Sequence, residues 1–398
     1  MADIHLFGQI YGPLGIAIHT KALFDTFIKY RPENCGEIKV YPLSQLFGSV
    51  AEGTTGNTEI DSRIIDDYSK NLKQRLDGVI FIYWTPDIYQ RILTEFVNPN
   101  SKILKVGYFI FEWTKISRQH LDGIALMDYM VVPSNWAKQV LVDNGVSASK
   151  IIVMRYPIDA EKVKTAKFEN KKYTFLMVGK VEKRKNLVLT LDLLWQIYKE
   201  EPSYFDGFKM ALLINDFHDP KYKISTYFAE IRDAGGYDNT FASFFDLFSS
   251  LESSQVDLLF RQSAFVLCPS RSGGIELPLL HSIEAGAIPV STDAGAPGEF
   301  ARLITQNPDL LIPVSGKEWM FDDRWFPASH DWGTWATIDV RKYRSMLEDM
   351  LCWFKNGGHI HCKEYFEECR TNVLKCRELD GRYIASCFPY KSEIFRIY

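Results

Sequence analysis

The chain has 398 residues, of which 46% are apolar and 24% are charged, a composition typical of a globular protein long enough for two well-packed domains. The formal net charge is −4 and the sequence contains no block of lysine and arginine, which argues against nucleic acid as a partner. Seven cysteines without closely spaced pairs indicate reduced thiols rather than a disulfide framework.

The hydropathy pattern favours a protein without membrane-spanning helices. No apolar run approaches the roughly 20 residues that such a helix needs. Residues 4–10 predict a first core strand with no signal peptide before it. We therefore expect a cytoplasmic protein, and the composition leaves peripheral membrane contact and the oligomeric state open.

Strands and helices alternate through the first part of the chain. Apolar runs of strand length lie at 4–10, 38–43, 79–84, 103–111 and 127–133, and periodic apolar segments predict helices at 16–30, 61–76, 86–96 and 133–145. Without hairpin signals, this alternation predicts a parallel, doubly wound sheet. Ligands of such sheets bind beyond the carboxyl ends of the strands.

Two candidate site features lie just after predicted strands. Gly12 and Gly15 form a G-x-x-G loop before the first helix, where free backbone amides could meet a phosphate, although a plain tight turn explains the same glycines. Glu112 follows the strand at 103–111. A carboxylate at this edge is either a structural hydrogen-bond acceptor or a site residue, and position alone does not choose between them.

The second part of the chain repeats the alternation. Strands are predicted at 173–178, 209–214, 263–268, 287–290 and 310–314, and helices at 187–199, around 224–234, at 277–285 and at 340–354. The stretch 156–170, whose second half is charged and lysine-rich, is the predicted linker. The first domain is therefore expected to cover residues 1–157 and the second residues 158–379.

The loops after two of these strands carry charge and glycine. The segment Gly179–Asn186 contains Lys180 and Lys185, which could bind a phosphate group or belong to a solvated basic loop. In the other loop, Gly273 and Gly274 precede a predicted helix. Their free backbone amides and the positive end of the helix point at one place, where a phosphate is the expected occupant.

This second loop and its helix carry a sequence signature. The run Pro269–Val290, followed by Ala294–Glu299, resembles the donor-site signature of the retaining family-4 glycosyltransferases, P-S-x-x-E-G-F-G-L-P-x-L-E-A-M-A-C-G-x-P-V. The matching residues are Pro269, Ser270, Gly274, Leu277, Pro278, Leu280, Gly286, Pro289 and Val290. The resemblance implies an α/β protein with the GT-B fold: two Rossmann-like, doubly wound parallel-sheet domains facing a central cleft, with a C-terminal helix at about 380–398 joining the first domain.

The resemblance also implies roles for residues outside that run. Lys180 and Lys185 match the two basic residues of the family's G-R-x-x-x-x-K motif, which bind the donor diphosphate and stabilise its charge when the sugar leaves. Gly12 and Gly15 match a glycine-rich first loop that approaches the donor phosphates. Glu112 lies in a stretch similar to the W-E turn that meets the reacting sugar in one branch of the family.

The family's paired glutamates, eight positions apart, are displaced in this chain. They contact the donor sugar and the nucleotide ribose, and in this chain Gly273 and His281 stand at their places. Glu276 and Glu284 are also eight positions apart, and each lies three residues further along the chain. Three interpretations stay open: the acidic pair has moved with a shift of the loop, His281 and Glu276 have taken over hydroxyl recognition, or the site has lost its sugar ligand. Glu276 could also cap its own helix.

The resemblance therefore implies a glycosyltransferase that moves a sugar from a nucleotide-diphosphate sugar to a hydroxyl of a glycan, glycolipid or polysaccharide with retention, without cofactor or metal. The predicted catalytic residues are Glu112, Lys180, Lys185 and Glu276. The predicted donor-binding residues are Gly12, Gly15, Lys180, Lys185, Arg271, Gly273, Gly274, Ile275, Glu276, Leu277, His281 and Glu284. The alternatives are a sugar-nucleotide epimerase or hydrolase, and a catalytically silent nucleotide-sugar-binding subunit.

An aromatic stretch and a set of cysteines are not explained by the resemblance. The stretch Trp319–Trp335 is unusually aromatic, and the sequence offers no account of it. Cys362, Cys369 and Cys376 recur every seven residues near two histidines, which would suit either zinc or a row of thiols on the core face of a helix. The spacing favours the row of thiols.

Overall fold

The computed structural model describes residues 3–11, 15–31, 36–46, 58–65, 76, 78–98, 103–215, 224–249, 251–322, 326–356 and 359–387. The chain divides into two compact units. The first comprises Met1–Phe111, Lys115–Ile158 and Arg377–Tyr398, and the second comprises Glu112–Thr114 and Asp159–Cys376. The short segment that begins with Glu112 therefore groups with the second unit, although the sequence analysis placed it within the first domain.

The first unit is built on a parallel sheet, with six strands among the described residues. The strands are β1 (Ile4–Gly8), β2 (Ile38–Pro42), β3 (Val79–Tyr83), β4 (Leu104–Tyr108), β5 (Tyr129–Val132) and β6 (Ile151–Val153), in the order β2-β1-β3-β4-β5-β6. β1 and β3 are buried along their whole length, as expected for parallel strands that are covered on both faces. Their side chains pack in one core with Phe24 and Phe27 of the first helix.

Helices connect these strands. They span Gly15–Lys29, Leu43–Leu46, Thr58–Asp61, Tyr89–Phe96, Arg118–Ala125 and Asn135–Asp143. The prediction of a helix at 61–76 is wrong at its start. The chain turns after Asp61, and Ile64 then forms a β-bridge to Val40 of β2. Residues 66–75, where that helix was expected to continue, lie outside the described residues, and so does Gly12.

The C-terminal part of the chain returns to the first unit. The helix Gly381–Cys387 groups with that unit, and the ring of Tyr30 lies 3.0 Å from where a Cβ on Gly381 would stand. Residues 388–398, where the predicted C-terminal helix was expected to continue, are outside the described part of the chain.

The second unit contains another parallel sheet, which also has six strands among the described residues. The strands are β7 (Tyr173–Lys180), β8 (Met210–Asn215), β9 (Phe245–Phe248), β10 (Ser263–Cys268), β11 (Ile288–Thr292) and β12 (Leu311–Ile312), in the order β9-β8-β7-β10-β11-β12. In chain order this is the 3-2-1-4-5-6 arrangement of a Rossmann sheet, and the order reverses between β7 and β10. The predicted doubly wound parallel α/β architecture is confirmed.

The helices of the second unit include the one that follows the glycine loop, which is the loop with Gly273 and Gly274. They span Ala160–Thr165, Leu187–Glu200, Ile224–Gly235, Asn239–Ala242, Ser253–Arg261, Leu277–Ala285, Gly295–Ile304, Val340–Lys355 and His359–Lys375. Pro278 lies in the first turn of its helix, where the missing N–H has no intrahelical partner. Gly286 ends that helix with φ 83°, and a Cβ there would lie 2.2 Å from the backbone oxygen of Lys167, so glycine is required.

The aromatic stretch begins at the end of one strand and ends in another, and these two strands form an antiparallel pair that was not predicted from the sequence. β13 (Val314–Trp319) pairs with β14 (Thr334–Ile338), and β13 is exposed along its whole length. A small core of large apolar side chains packs here: Met320, Phe326, Trp335, Trp113 and Trp332. The local core therefore accounts for Phe326, Trp332 and Trp335, whereas Trp319 and Phe321 are exposed.

Two of the three evenly spaced cysteines agree with a row of thiols on a core face, whereas Cys376 is half-buried and follows the end of the helix. Cys362 and Cys369 are fully buried on the helix His359–Lys375. Among the described residues, no group of three or more histidine, cysteine or acidic side chains could hold a metal ion.

None of the helices in the described ranges combines the length and the apolar character needed to cross a membrane.

Candidate functional site

A pocket lies where the strand order of the second sheet reverses. The carboxyl ends of β7 and β10 and the loops that follow them form most of it. Its polar lining includes Lys180 at the end of β7, Lys185 in the loop that follows, and Ser270 and Glu276 in the loop after β10. The structure therefore brings three of the four predicted catalytic residues to one pocket, at the place where Rossmann sheets bind their ligands.

The loop after β7 is fixed by one residue with left-handed backbone geometry. Lys183–Lys185 form a single 3-10 turn, and Asn186 follows with φ 53°, a conformation that asparagine tolerates better than most residues. The Asn186 Nδ2 atom donates to the backbone oxygen of Pro269 at 2.7 Å. This bond ties the loop after β7 to the loop after β10.

Lys185 and Glu276 form an ion pair inside the pocket. The Glu276 side chain is 1% exposed and that of Lys185 is 17% exposed, so water screens the pair little. One carboxylate oxygen, Oε1, accepts from the Lys185 ammonium, while the other, Oε2, is buried without a hydrogen-bond partner. Glu276 stands at the N-cap position of its helix, but its side chain makes no capping hydrogen bond. Helix capping therefore does not explain this buried glutamate.

Arg184 joins three segments of the site, and the sequence analysis did not select it. Its buried guanidinium donates to the Glu182 carboxylate at 2.5 and 3.0 Å and to the backbone oxygen of Ser272 at 2.7 Å. The carboxylate of Glu112, on the third segment, lies 3.5 Å away. Burial disfavours the charge on Arg184, but the carboxylates of Glu112 and Glu182 outweigh this effect and raise the pKa of the guanidinium.

The charged groups at this place balance one another. Lys180 lies 3.7 Å from Glu182. Burial alone would raise the pKa of Glu182, but Arg184 and Lys180 outweigh burial and hold that pKa below its usual value. We refer to six residues as the charged cluster: the cations Lys180, Arg184 and Lys185 and the carboxylates Glu112, Glu182 and Glu276.

The glycine loop packs closely against the buried carboxylate. Gly273 and Gly274 are buried, Ile275 is half-buried, and Leu277 is buried in the first turn of the helix. A Cβ at Gly273 would lie 3.1 Å from Oε2 of Glu276, so a larger residue would crowd that oxygen. These four predicted donor-binding residues therefore lie within three positions of Glu276 along the chain.

Three buried polar atoms in this loop lack hydrogen-bond partners. They are Oε2 of Glu276 and the hydroxyl oxygens of Ser270 and Ser272. Ser270 and Glu276 both line the pocket. Because nearly all buried polar groups in folded proteins are hydrogen-bonded, we expect ordered water or a ligand to complete the bonding of these atoms.

Arg271, a predicted donor-binding residue, is engaged by other side chains. Its guanidinium pairs with Glu318 of β13 and lies 5.3 Å from the ring centre of Trp335, and its Nε donates to Oδ1 of Asn186 at 2.9 Å. The Glu318 carboxylate also accepts from the Trp335 indole at 2.9 Å. Arg271 thus tethers the loop after β10 to the pair β13–β14, and its contact with a donor stays a prediction.

His281 and Glu284 share one face of the helix that follows the glycine loop. The Glu284 carboxylate accepts from the backbone N–H of Asp159 at 2.9 Å, and the ring of His281 lies edge-on to Phe260 at 6.2 Å. Burial raises the pKa of Glu284 to about 7 and lowers that of His281 to about 4. These surroundings differ from those of Glu276, and a role of either residue in donor binding stays a prediction.

We expect a Glu284→Gln variant to gain stability relative to the wild type as the pH rises. Folding raises the pKa of Glu284 from 4.5 to about 7, so this group contributes stability that is full below the unfolded pKa and is lost as the pH rises through about 7. The loss amounts to roughly 1–3 kcal/mol. Urea unfolding of both proteins at pH 5 and pH 8 measures it. If the free energies of unfolding of the two proteins differ by the same amount at both pH values, the raised pKa of Glu284 is contradicted.

The predicted glycine residues of the first loop belong to the first unit. Gly15 is exposed and is the first residue of the helix Gly15–Lys29. Gly12 lies outside the described residues, so the predicted approach of this loop to the donor phosphates stays a prediction.

Comparison with known proteins gives matches in structure but not in sequence. No family model and no curated protein matches the chain. TarM from S. aureus, solved with Fondaparinux, alpha-GlcNAc-glycerol and UDP, matches with a TM-score of 0.55 at 10% identity, over 78% of this chain and 54% of TarM. The pneumococcal O-GlcNAc transferase GtfA, in complex with UDP and GlcNAc, matches with a TM-score of 0.53 at 13% identity, over 83% and 59%.

The match to HepE from Anabaena, solved in complex with UDP, covers both chains completely. The TM-score is 0.63 at 10% identity, over 100% of each chain. This chain thus spans little more than half the length of TarM and GtfA, but the whole length of HepE. At such identities the likeness shows the fold alone. Together with the two parallel six-stranded sheets, it shows that the chain has the GT-B fold.

Proposed function

We propose that the chain is a glycosyltransferase that moves a sugar from a nucleotide-diphosphate sugar to a hydroxyl acceptor. The observation that carries the proposal is the pocket beyond β7 and β10, which combines two lysines with a buried carboxylate oxygen that has no partner. Lysines suit a diphosphate, and a carboxylate suits the hydroxyl groups of a sugar. The UDP present in the structures of TarM, GtfA and HepE supports a UDP-sugar as the donor.

In this proposal the diphosphate lies near Lys180, Lys185 and the amides of the glycine loop. When the bond between the anomeric carbon and the diphosphate breaks, negative charge builds up on the departing oxygen. Cations and amides that are already fixed in position stabilise this charge without reorganising. Oε2 of Glu276 accepts hydrogen bonds from sugar hydroxyls. Retention of configuration and a role of Glu112 near the reacting sugar rest on the sequence resemblance.

The remaining parts of the proposal rest on the sequence. The resemblance supports a glycan, glycolipid or polysaccharide hydroxyl as the acceptor. The cysteine pattern, which indicates reduced thiols, supports a cytoplasmic location.

We expect turnover to be insensitive to EDTA. Lys180, Lys185 and the amides at the start of a helix supply the positive charge that a divalent metal would otherwise bring, and the sequence contains no Asp-x-Asp motif. Release of UDP from the donor in the presence of acceptor should proceed at the same rate with and without chelator. Turnover that vanishes with EDTA and returns with manganese would refute this description of the donor site.

The test of the proposed function is the consumption of UDP-sugars with and without hydroxyl acceptors. A transferase requires the acceptor, and the sugar appears on the acceptor as UDP is released. Consumption that does not need an acceptor would instead identify an epimerase or hydrolase. Binding of UDP-sugars without any consumption across the acceptor panel would identify the silent binding subunit.

A further inference from the structure

The charged cluster holds three cations and three carboxylates, so its formal charge is zero. A diphosphate that reaches the pocket therefore meets cations that already have anionic partners. The least exposed of these partners is Glu276, whose Oε1 accepts from the Lys185 ammonium. Any attraction between Lys185 and a phosphate oxygen must be weighed against this existing pair.

We propose that Glu276 makes the pocket select the complete nucleotide sugar over the free nucleoside diphosphate, because its carboxylate competes with the diphosphate for Lys185. The proposal rests on the proposed function and adds a second role to Glu276. Besides accepting from the sugar, the residue weakens the binding of a donor that lacks the sugar.

Lys185 can bind either the Glu276 carboxylate or a phosphate oxygen. A lysine ammonium is a compact point charge, and carboxylate and phosphate oxygens are both anionic acceptors for it. The pair that it forms with Glu276 is nearly closed to water, so the interaction is screened far less than a surface ion pair. A diphosphate can draw the ammonium to itself only by lengthening or breaking this pair, and part of its binding free energy is lost in doing so.

When Lys185 turns to the diphosphate, it leaves the Glu276 carboxylate behind. Oε2 of Glu276 has no partner even while the ion pair is intact, and Oε1 loses its donor when Lys185 turns to the diphosphate. Arg184 donates instead to Glu182 and to the backbone oxygen of Ser272, and its attraction to Glu276 is Coulombic. A buried carboxylate without hydrogen bonds is strongly unfavourable.

The sugar distinguishes the complete donor from the free nucleoside diphosphate. A sugar attached to the diphosphate brings hydroxyl donors that can satisfy both oxygens of Glu276, whereas a free nucleoside diphosphate brings none at that position. The complete donor therefore compensates for the broken ion pair, and the nucleoside diphosphate does not. After transfer, the Lys185–Glu276 pair re-forms and favours release of the nucleoside diphosphate.

The experiment is a calorimetric titration of the full chain with UDP and, separately, with UDP-glucose. Glu276→Gln should bind UDP about tenfold more tightly than the wild type, within the usual range of coupling free energies. Its preference for UDP-glucose over UDP should fall at the same time. Glu200→Gln is the matched control, since it removes one carboxylate charge from an ion pair with Arg344 that lies outside the charged cluster. It should leave the UDP affinity unchanged.

A double-mutant cycle shows whether the gain arises through Lys185. In a Lys185→Met background, Glu276→Gln should no longer strengthen UDP binding. Equal UDP affinity of the wild type and Glu276→Gln overturns the competition but leaves the proposed function standing, whereas a wild type that binds neither UDP nor UDP-glucose overturns both. If Glu276→Gln does not fold, Glu276→Asp keeps the charge but shortens the reach to Lys185. It should still bind UDP more tightly than the wild type, and unchanged affinity overturns the competition.

Discussion

Replacing Arg184 by methionine should lower the free energy of unfolding by about 3–5 kcal/mol, because the change strands a buried charge without its counter-ion. Glu182 is 8% exposed and accepts two hydrogen bonds from the guanidinium. The same change removes the donor to the backbone oxygen of Ser272 and the cation 3.5 Å from Glu112. Urea unfolding monitored by tryptophan fluorescence measures the loss.

A matched control comes from a more exposed arginine of the same unit. Arg344 pairs with Glu200 at 2.5 Å, with side-chain exposures of 28% and 61%, so Arg344→Met should cost at most about 1 kcal/mol. Adding Glu182→Gln to Arg184→Met should recover part of the loss, because it removes the stranded carboxylate charge. A cost for Arg184→Met no larger than that of the control would show that this network does not hold the three segments together.

The repeated strands and helices could be predicted from the sequence because burial on both faces leaves a plain signal. β10 is buried at every position and appears in the sequence as one continuous apolar run, and its predicted bounds are those observed. The helix Leu277–Ala285 was also predicted at its observed bounds, since Pro278 suits its first turn and Gly286 its end. Local rules of backbone geometry were sufficient for both elements.

The contacts within the site could not be predicted in this way. Lys185 and Glu276 are 91 residues apart, and they meet because β7 and β10 are neighbours at the reversal of the strand order. From the sequence, Arg184 is one of several similar cations in a basic loop. The fold alone distinguishes it, as the one buried between carboxylates. An arginine between two selected lysines was the signal that could have drawn attention to it.

The pair β13–β14 was missed for a different reason. All six residues of β13 are exposed, so the strand lacks the alternation of apolar and polar residues that predicts a half-buried strand. Its partner β14 is buried at Trp335 and Ile338, but an antiparallel partner 15 or more residues away gives no local turn signal. The aromatic composition indicated a packed cluster without indicating its topology.

Replacing Lys180 by alanine should weaken the binding of UDP by roughly 1.5–3 kcal/mol, the range for hydrogen bonds to charged groups. Lys180 is the last residue of β7 and lines the pocket. Its carboxylate partner is Glu182, at 3.7 Å, and not the more deeply buried Glu276. Removing Lys180 therefore leaves no carboxylate as buried as Glu276 without a partner. Glu182 keeps its bonds to Arg184. Lys180→Arg should be tolerated, because it preserves the charge.

The central claim is that this pocket binds the diphosphate of a nucleotide sugar, and a calorimetric titration with UDP tests it most directly. Lys183→Ala is the control, because Lys183 lies in the same loop but is exposed, with its ammonium over the ring of Phe321 at 5.7 Å. The account predicts that the wild type binds UDP, that Lys180→Ala binds it roughly 10–150-fold more weakly, and that Lys183→Ala stays within about twofold of the wild type. A wild type that binds neither UDP nor UDP-glucose, or an equal loss in both variants, would contradict it.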